Sequence, residues 1–489
     1  MLELEKIKSA DISKIWFFRF KKFNKDSYLI TNDAWKFEFL NLEEFNIFIS
    51  GENLDSLSKI DSLIKKGFIK NESYKEKMIW SVALKNHFVW TGPTLHMIIT
   101  TLRCNHKCKY CHAAVAPMSA KDMDMSIETA KKVVDTIFFT NSQWLTIEFQ
   151  GWESLVNYEV VQFITTYAKE RAQHLNKDLS LVMVSNLTLM TEEKLKWLLD
   201  EWVDICTSLD GDEITHNSNR SWFKEWNSFE QVTYWMKRVD EEKQKRWMWK
   251  VWALLTVTKE TIPKYKEIID TYVKLWQDWI FLRWLNPYGF AAAEINELAY
   301  ESEDWIEFYK KSLDYIIELN KNWTYFSESI TRVYLQKIFN SKDPAFMDIR
   351  SPSWIATWCI AYNFDGKIYA SDESRMLWRM WDDSFFMTEV TDNPEENYKN
   401  MINSDVTKIS VQSSTLDGLP WYNDHVYKPY LGVDIIHNYK IVWNLYNPLA
   451  KDEKVKIQVA IIDYIFEKLQ NTEDEKILMS WLWKKSCVL

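Results

Sequence analysis

Residues 104–111 read Cys104-Asn105-His106-Lys107-Cys108-Lys109-Tyr110-Cys111 and set three of the chain's 6 cysteines in a C-x3-C-x2-C spacing. Three thiolates this close can hold three irons of a cubane [4Fe–4S] cluster. The fourth iron then lacks a protein ligand and can bind a substrate or cofactor. Soft sulfur ligands suit iron–sulfur clusters, zinc and copper(I). Zinc usually takes four ligands, often as two separated pairs. No second Cys pair follows here, although His106 or His112 could complete a zinc set. The spacing favours the cluster; zinc and three unligated cysteines are the alternatives.

Outward from this stretch, strand and helix patterns alternate. The apolar run Leu95–Thr101 reads as a buried strand just before the cysteines. Ser126–Phe139 reads as a helix, with Ser126 as N-cap and Glu128 in its first turn. Further strands are expected at Leu145–Phe149, Leu181–Val184, Val203–Thr207, Val251–Val257 and Ile280–Arg283. The helices between them are expected at Glu159–Arg171, Thr191–Asp200, Phe229–Val239 and Pro263–Leu275. Mostly buried strands joined by helices imply an α/β fold with a parallel sheet and helices outside it. Six units rather than eight imply a partial (β/α)6 TIM-type barrel over residues 91–300.

In such barrels the chemistry lies at the C-terminal ends of the strands. The cysteines follow strand one. Gln150-Gly151-Trp152-Glu153-Ser154 follows strand two, and Ser185-Asn186 follows strand three. Ser208-Leu209-Asp210-Gly211-Asp212 follows strand four, with Arg220 a little further on. Taken singly, Glu153 or Arg220 reads as solvated surface and Ser208 as a helix cap. Taken together, each at a strand end, they read as one site. Strand six leads into Asn286-Pro287-Tyr288, which reads as a substrate-side segment or a simple turn.

The flanks differ. Residues 1–90 read as a small winged-helix-like α+β module, with strands near Trp16–Phe20 and Tyr28–Ile30 and helical periodicity at 42–50 and 54–66. It is either a peptide-recognition unit or a packing cap. In residues 301–489, helices are expected at 302–340 and 454–470, and Asp365-Gly366 is a hairpin turn. Cys206 reads as core and Cys487 as incidental.

Net charge is −10 and the pI about 5.5, against a nucleic-acid-binding surface. No apolar run approaches the roughly 18 residues of a membrane span. The start, Met1-Leu2-Glu3-Leu4-Glu5-Lys6, does not read as a signal peptide. Clustered cysteines fit a reducing compartment better than a disulfide framework. A cytoplasmic chain with no nucleic-acid or membrane partner is therefore expected.

There are 9 Gly and 27 Trp. Together they come close to the roughly 34 glycines that a 7% average usage would give. Several Trp also stand where glycine is wanted. Trp202 and Trp276 end helix patterns, Trp35 lies in a turn, and Trp152 follows Gly151 in a tight loop. Some bacteria read the UGA codon as glycine, and reading it as tryptophan would produce this pattern. A genuinely Trp-rich chain is the alternative.

The cysteine motif, with the aromatic Tyr110 before its third cysteine, resembles the signature of the radical S-adenosylmethionine (SAM) superfamily. The resemblance implies a [4Fe–4S] cluster on Cys104, Cys108 and Cys111, with SAM bound to the open iron. Gly151, Trp152 and Glu153 match the family's Gly-Gly-Glu-Pro segment, with Trp in place of the second Gly and Ser154 in place of Pro. The same resemblance implies SAM contacts at Asn186, Ser208 and Arg220. Asp210 and Cys359 are candidate catalytic residues, although Cys359 reads equally as a buried remnant.

Cys359 to Glu373, and Tyr422 to Asp434, resemble the SPASM extension of peptide-modifying members. Ser371 and four residues of the second segment replace its cluster cysteines, so auxiliary clusters are not expected. The whole is most similar to maturases of the His-Xaa-Ser system. That implies a peptide or small protein precursor as substrate and an external electron donor such as flavodoxin or ferredoxin. A sulfatase-maturing type of oxidase and a non-catalytic cluster- or zinc-binding peptide carrier are the alternatives.

Overall fold

Leu95–Ile99 (β1) is buried at every position, as a central parallel strand must be. Beside it lie β2 (Trp144–Gln150), β3 (Asp178–Val184), β4 (Val203–Ser208), β5 (Trp252–Thr256) and β6 (Leu282–Arg283), each parallel to its neighbour. This computed structural model describes residues 13–113, 115–222 and 227–483; Cys487 lies outside them. The connecting helices run Ile127–Phe138, Tyr158–Leu175, Glu192–Asp200, Ser228–Lys245 and Tyr265–Lys274. Side chains at Ser126, Thr191 and Asn227 cap three of them by accepting the backbone N–H three residues on, at Thr129, Lys194 and Glu230. The partial parallel barrel is the fold expected from the alternation.

The sixth expected strand is split. Trp279–Ile280 pairs with Ser327–Glu328, while β6 pairs with β5. At the open edge of the barrel, two short partners replace one continuous neighbour.

On the other side, β7 (Cys359–Tyr362) pairs in parallel with β1, from Cys359 opposite Leu95 to Tyr362 opposite Ile98. His96 Nδ1 meets the Tyr362 hydroxyl at 3.1 Å across this seam. β8 (Lys367–Tyr369) and β9 (Phe386–Glu389) continue antiparallel, giving one nine-stranded sheet. Asp365-Gly366 makes the turn, with Gly366 at φ +89°. A single apolar core runs from β1 through these strands to the helix Glu453–Leu469.

Residues 15–69 hold a smaller core of their own, including Tyr28, Ile30, Leu40, Phe45, Phe48 and Phe68. Its three-stranded antiparallel sheet, Arg19–Lys22, Ser27–Thr31 and Phe37–Asn41, has one strand more than the sequence reading expected. This unit docks on the C-terminal part of the chain. Lys21 pairs with Asp463 at 2.6 Å, the Tyr430 hydroxyl donates to the Trp35 carbonyl, and Phe37 packs edge-on against Phe466.

Seven tryptophans, at 35, 202, 247, 276, 323, 381 and 443, have φ between +53° and +66°. Six of them follow the last turn of a helix, where the left-handed conformation normally selects glycine. Trp152 is not among them; in its loop the positive φ, +127°, belongs to Gly151.

Candidate active site

The cysteine loop is fastened on both sides. The Arg103 guanidinium binds the Asp124 carboxylate and donates to the Met118 carbonyl at 2.9 Å. The short strand His106–Cys108 pairs antiparallel with Arg220–Trp222, which sets Arg220 directly opposite Cys108. Over a hundred residues apart in sequence, the two are joined by this ribbon, and Arg220 Nη1 lies 4.0 Å from the Cys108 sulfur.

One cavity of about 790 Å³ runs along the inside of the barrel, from the strand starts at Leu95, Leu179 and Trp252 to the segments that follow the strands. Cys104, Cys108, Cys111, Gly151, Trp152, Asn186, Ser208 and Arg220 all line it. The remaining candidates stand behind that lining. Glu153 is fully buried, and both carboxylate oxygens are engaged: Ser185 Oγ donates at 2.7 Å, and the amides of Leu155 and Asn186 at 3.1 and 2.8 Å. It holds the Ser185-Asn186 turn in place, and Asn186 in turn points its amide at the Cys104 sulfur, 3.8 Å away. Asp210 is fully buried. It accepts from Arg220 Nε at 3.0 Å and from the Tyr110 hydroxyl at 2.5 Å, so the aromatic residue of the motif also orients Arg220. Cys359 is fully buried within β7.

Trp152 is half-buried. The Arg375 guanidinium lies 4.6 Å from the centre of its ring, and its indole N–H has no partner. Arg375 itself is wholly buried, bonded to Asp372 at 3.0 Å, with both terminal nitrogens unpartnered. A glycine at 152 would uncover this guanidinium.

The electrostatics suit bound thiolates only when a cation is near. Burial pushes the Cys108 thiol up to about 12, while Arg220 pulls the other way. Burial, with Cys108 and Glu153 adding to it, raises the Cys104 thiol as well. A cationic cluster supplies the missing charge. The imidazole of His106 is spent on Ser228, 3.0 Å from Nε2. Burial lowers His106 to about 3 and His112 to about 4. Among the described residues, no three His, Cys, Asp or Glu side chains converge as ligands of a single metal ion.

Sequence reasoning missed the far wall of the cavity. Asp348, Asp372, Glu373, Asp434 and Lys454 reach it from the C-terminal third. The run Asp372-Glu373-Ser374-Arg375 just after the hairpin is the signal that could have shown it, since these charges follow a strand buried at its last two positions.

Residues 98–271 match the model of the radical SAM superfamily, and this segment is a radical SAM domain. That family uses a [4Fe–4S] cluster and SAM. Among curated proteins, 24% of the chain aligns at 29% identity with 40% of the uncharacterized protein MJ0907 of Methanocaldococcus jannaschii. A further alignment, over 39% of the chain at 24% identity, covers 41% of the radical SAM cyclopropyl synthase TigE of Paramaledivibacter caminithermalis. The chain thus spans about 40% of the length of these relatives. Among solved structures, anSMEcpe with bound AdoMet and the Cp18Cys peptide superposes with a TM-score of 0.62 at 16% identity, over 78% of this chain and 100% of that one. SuiB of Streptococcus suis bound to its precursor peptide SuiA gives 0.51 at 11% identity, over 89% and 98%. At these identities the likeness is one of fold. No helix among the described residues is long and apolar enough to cross a membrane.

Proposed function

We propose that this protein is a radical SAM maturase that modifies a residue of a peptide or small protein precursor, one carrying His-Xaa-Ser repeats, in a reducing cytoplasm. The observation that carries the reading is the convergence of Cys104, Cys108, Cys111, Gly151, Asn186, Ser208 and Arg220 on one cavity at the strand ends. Relatives with the same fold were solved with peptides bound, and the cavity is large enough for a cofactor and a side chain together.

Cys104, Cys108 and Cys111 would hold the cluster. With SAM bound, and an electron from a flavodoxin- or ferredoxin-like donor, that group supplies hydrogen-atom abstraction. The chain's own residues bind and orient. Arg220 has Nε anchored by Asp210, which leaves the far side of its fork for a carboxylate. Ser208 and Asn186 offer a hydroxyl and an amide. Glu153 fixes the turn that carries Asn186. Met97, Leu181, Val182 and Leu254 line the cavity and exclude water.

Anaerobic reconstitution tests this. About four irons per chain and release of 5′-deoxyadenosine from SAM are expected, and both should vanish together in Cys108→Ala. Zinc uptake without SAM cleavage would sink the reading. A neighbouring gene encoding His-Xaa-Ser repeats would name the substrate.

A further inference from the structure

We propose that the wall of the cavity formed by Asn286, Asp348, Glu373 and Asp434 binds a basic side chain of the peptide substrate, whose N–H groups donate to Glu373 and Asn286, the acceptors left open there. The inference rests on the reading that this cavity takes a peptide.

The wall is built from separate segments. Asn286 comes from the loop after β6, with Tyr288 of the same loop buried behind it, and Asp348 from the turn Met347–Ile349. Glu373 stands in the first turn of the helix Asp372–Trp378, and Asp434 caps the helix Ile435–Val442. The backbone is drawn tight to bring them together. A Cβ on Gly432 would lie 2.3 Å from the Asp348 carbonyl oxygen and 2.5 Å from Ile349 Cα.

Its buried acceptors are not all filled. Glu373 Oε2 and Asn286 Oδ1 are buried acceptors without a partner. The Tyr288 hydroxyl is unpartnered in a side chain that is 0% exposed, and its charged neighbours are Asp434 and Glu373. Two cations nearby already have carboxylate partners. Lys454 bonds Asp434 at 2.6 Å, and Arg375 bonds Asp372 at 3.0 Å through Nε alone, its terminal nitrogens lying open beside Trp152. Arg283 is the further cation acting on Asp348. No ion pair among the described residues engages Glu373. Burial, with Asp434 and Asp372 adding to it, pushes its carboxyl up to about 8. Lys454 acts on it without an ion-pair contact; a buried carboxylate with no cation in contact is costly, and a donor-rich cation is the partner that would restore it. An aliphatic side chain would leave the Glu373 and Asn286 acceptors open.

The test uses reconstituted protein with SAM and five acetylated, amidated peptides that differ only in a central Lys, Arg, His, Gln or Glu. At least one basic peptide should bind roughly tenfold tighter than the Gln peptide, a gain of about 1.4 kcal/mol. Glu373→Gln, which keeps the shape, should erase that advantage. Binding of the basic peptide should also release a proton from Glu373, read by calorimetry in buffers of different ionisation enthalpy. Equal binding of the Gln peptide, preference for the Glu peptide, an advantage that survives Glu373→Gln, or no binding by any of the five would overturn the inference. SAM cleavage by the parent protein separates the two levels. Cleavage without basic preference removes this inference alone, and basic preference without cleavage removes the catalytic reading alone.

Discussion

Arg220 carries a fork whose direction is set by two other side chains. Asp210 holds Nε, and the Tyr110 hydroxyl holds Asp210. Arg220→Lys keeps the charge but loses the fork. SAM affinity, measured by equilibrium binding to the reconstituted protein, should fall about tenfold or more, with iron content unchanged. The left-handed tryptophans make a different prediction. Trp323 and Trp381 are 97% and 99% exposed, so their rings bury almost nothing to offset the backbone cost. A side chain there costs roughly 1–2 kcal/mol, partly returned by the greater freedom of an unfolded glycine. Glycine at both positions should raise the unfolding free energy, read from urea titration, by roughly 0.5–1 kcal/mol each. If UGA is read as glycine in the source organism, the intact chain isolated from it will be lighter than the sequence as written. At this scale the cysteine spacing and the tryptophans at 35, 202 and 276 could be read directly, because spacing and turn chemistry are local, whereas Trp152 could not, since the positive φ in its loop belongs to Gly151. The saturation of Glu153 could not, since Ser185 and Asn186 are more than thirty residues away.

Secondary elements place these residues by close approach and by capping. In the β2 loop, a Cβ on Gly151 would lie 2.6 Å from the Thr101 carbonyl oxygen, at a φ of +127°. Gly151→Ala must therefore push the loop away from β1. It should cost about 1–3 kcal/mol and lower SAM affinity, both read on the same preparation. Glu328 caps the helix Ser329–Phe339 by accepting from the amides of Ile330 and Thr331, yet it is fully buried. Burial lifts its carboxyl from the usual 4.5 to about 7. The folded pKa lies above the unfolded one. Its contribution to stability is thus complete below pH 4.5 and is lost as pH rises to about 7. Relative to the parent, Glu328→Gln should lack a slope of up to about 1.4 kcal/mol per pH unit in that window, measured as the difference in urea midpoints. The alternation of strands and helices was legible because buried parallel strands are continuous apolar runs. The split sixth strand was not, because its two halves differ only in which neighbour each one meets.

Over the whole molecule, β7 is the consequential element. It pairs with β1 along four residues and carries the chain from the barrel sheet into the hairpin that supplies Asp372 and Glu373. A chain ending at residue 345 would strip β1 of that neighbour and leave an apolar edge open. Such a truncation should elute from size exclusion as aggregate, whereas removal of surface residues alone should not. The sequence by itself determined the class of fold, the three thiols and the ends of strands where the chemistry gathers, because each rests on short-range spacing and periodicity. Only the tertiary structure decided that a ribbon sets Arg220 opposite Cys108, that Glu153 braces a turn, and that Asp348, Glu373, Asp434 and Lys454 share one wall. Those relations depend on which distant segments share a sheet, a core or a cavity, and contacts across hundreds of residues leave no periodic trace in the chain that makes them.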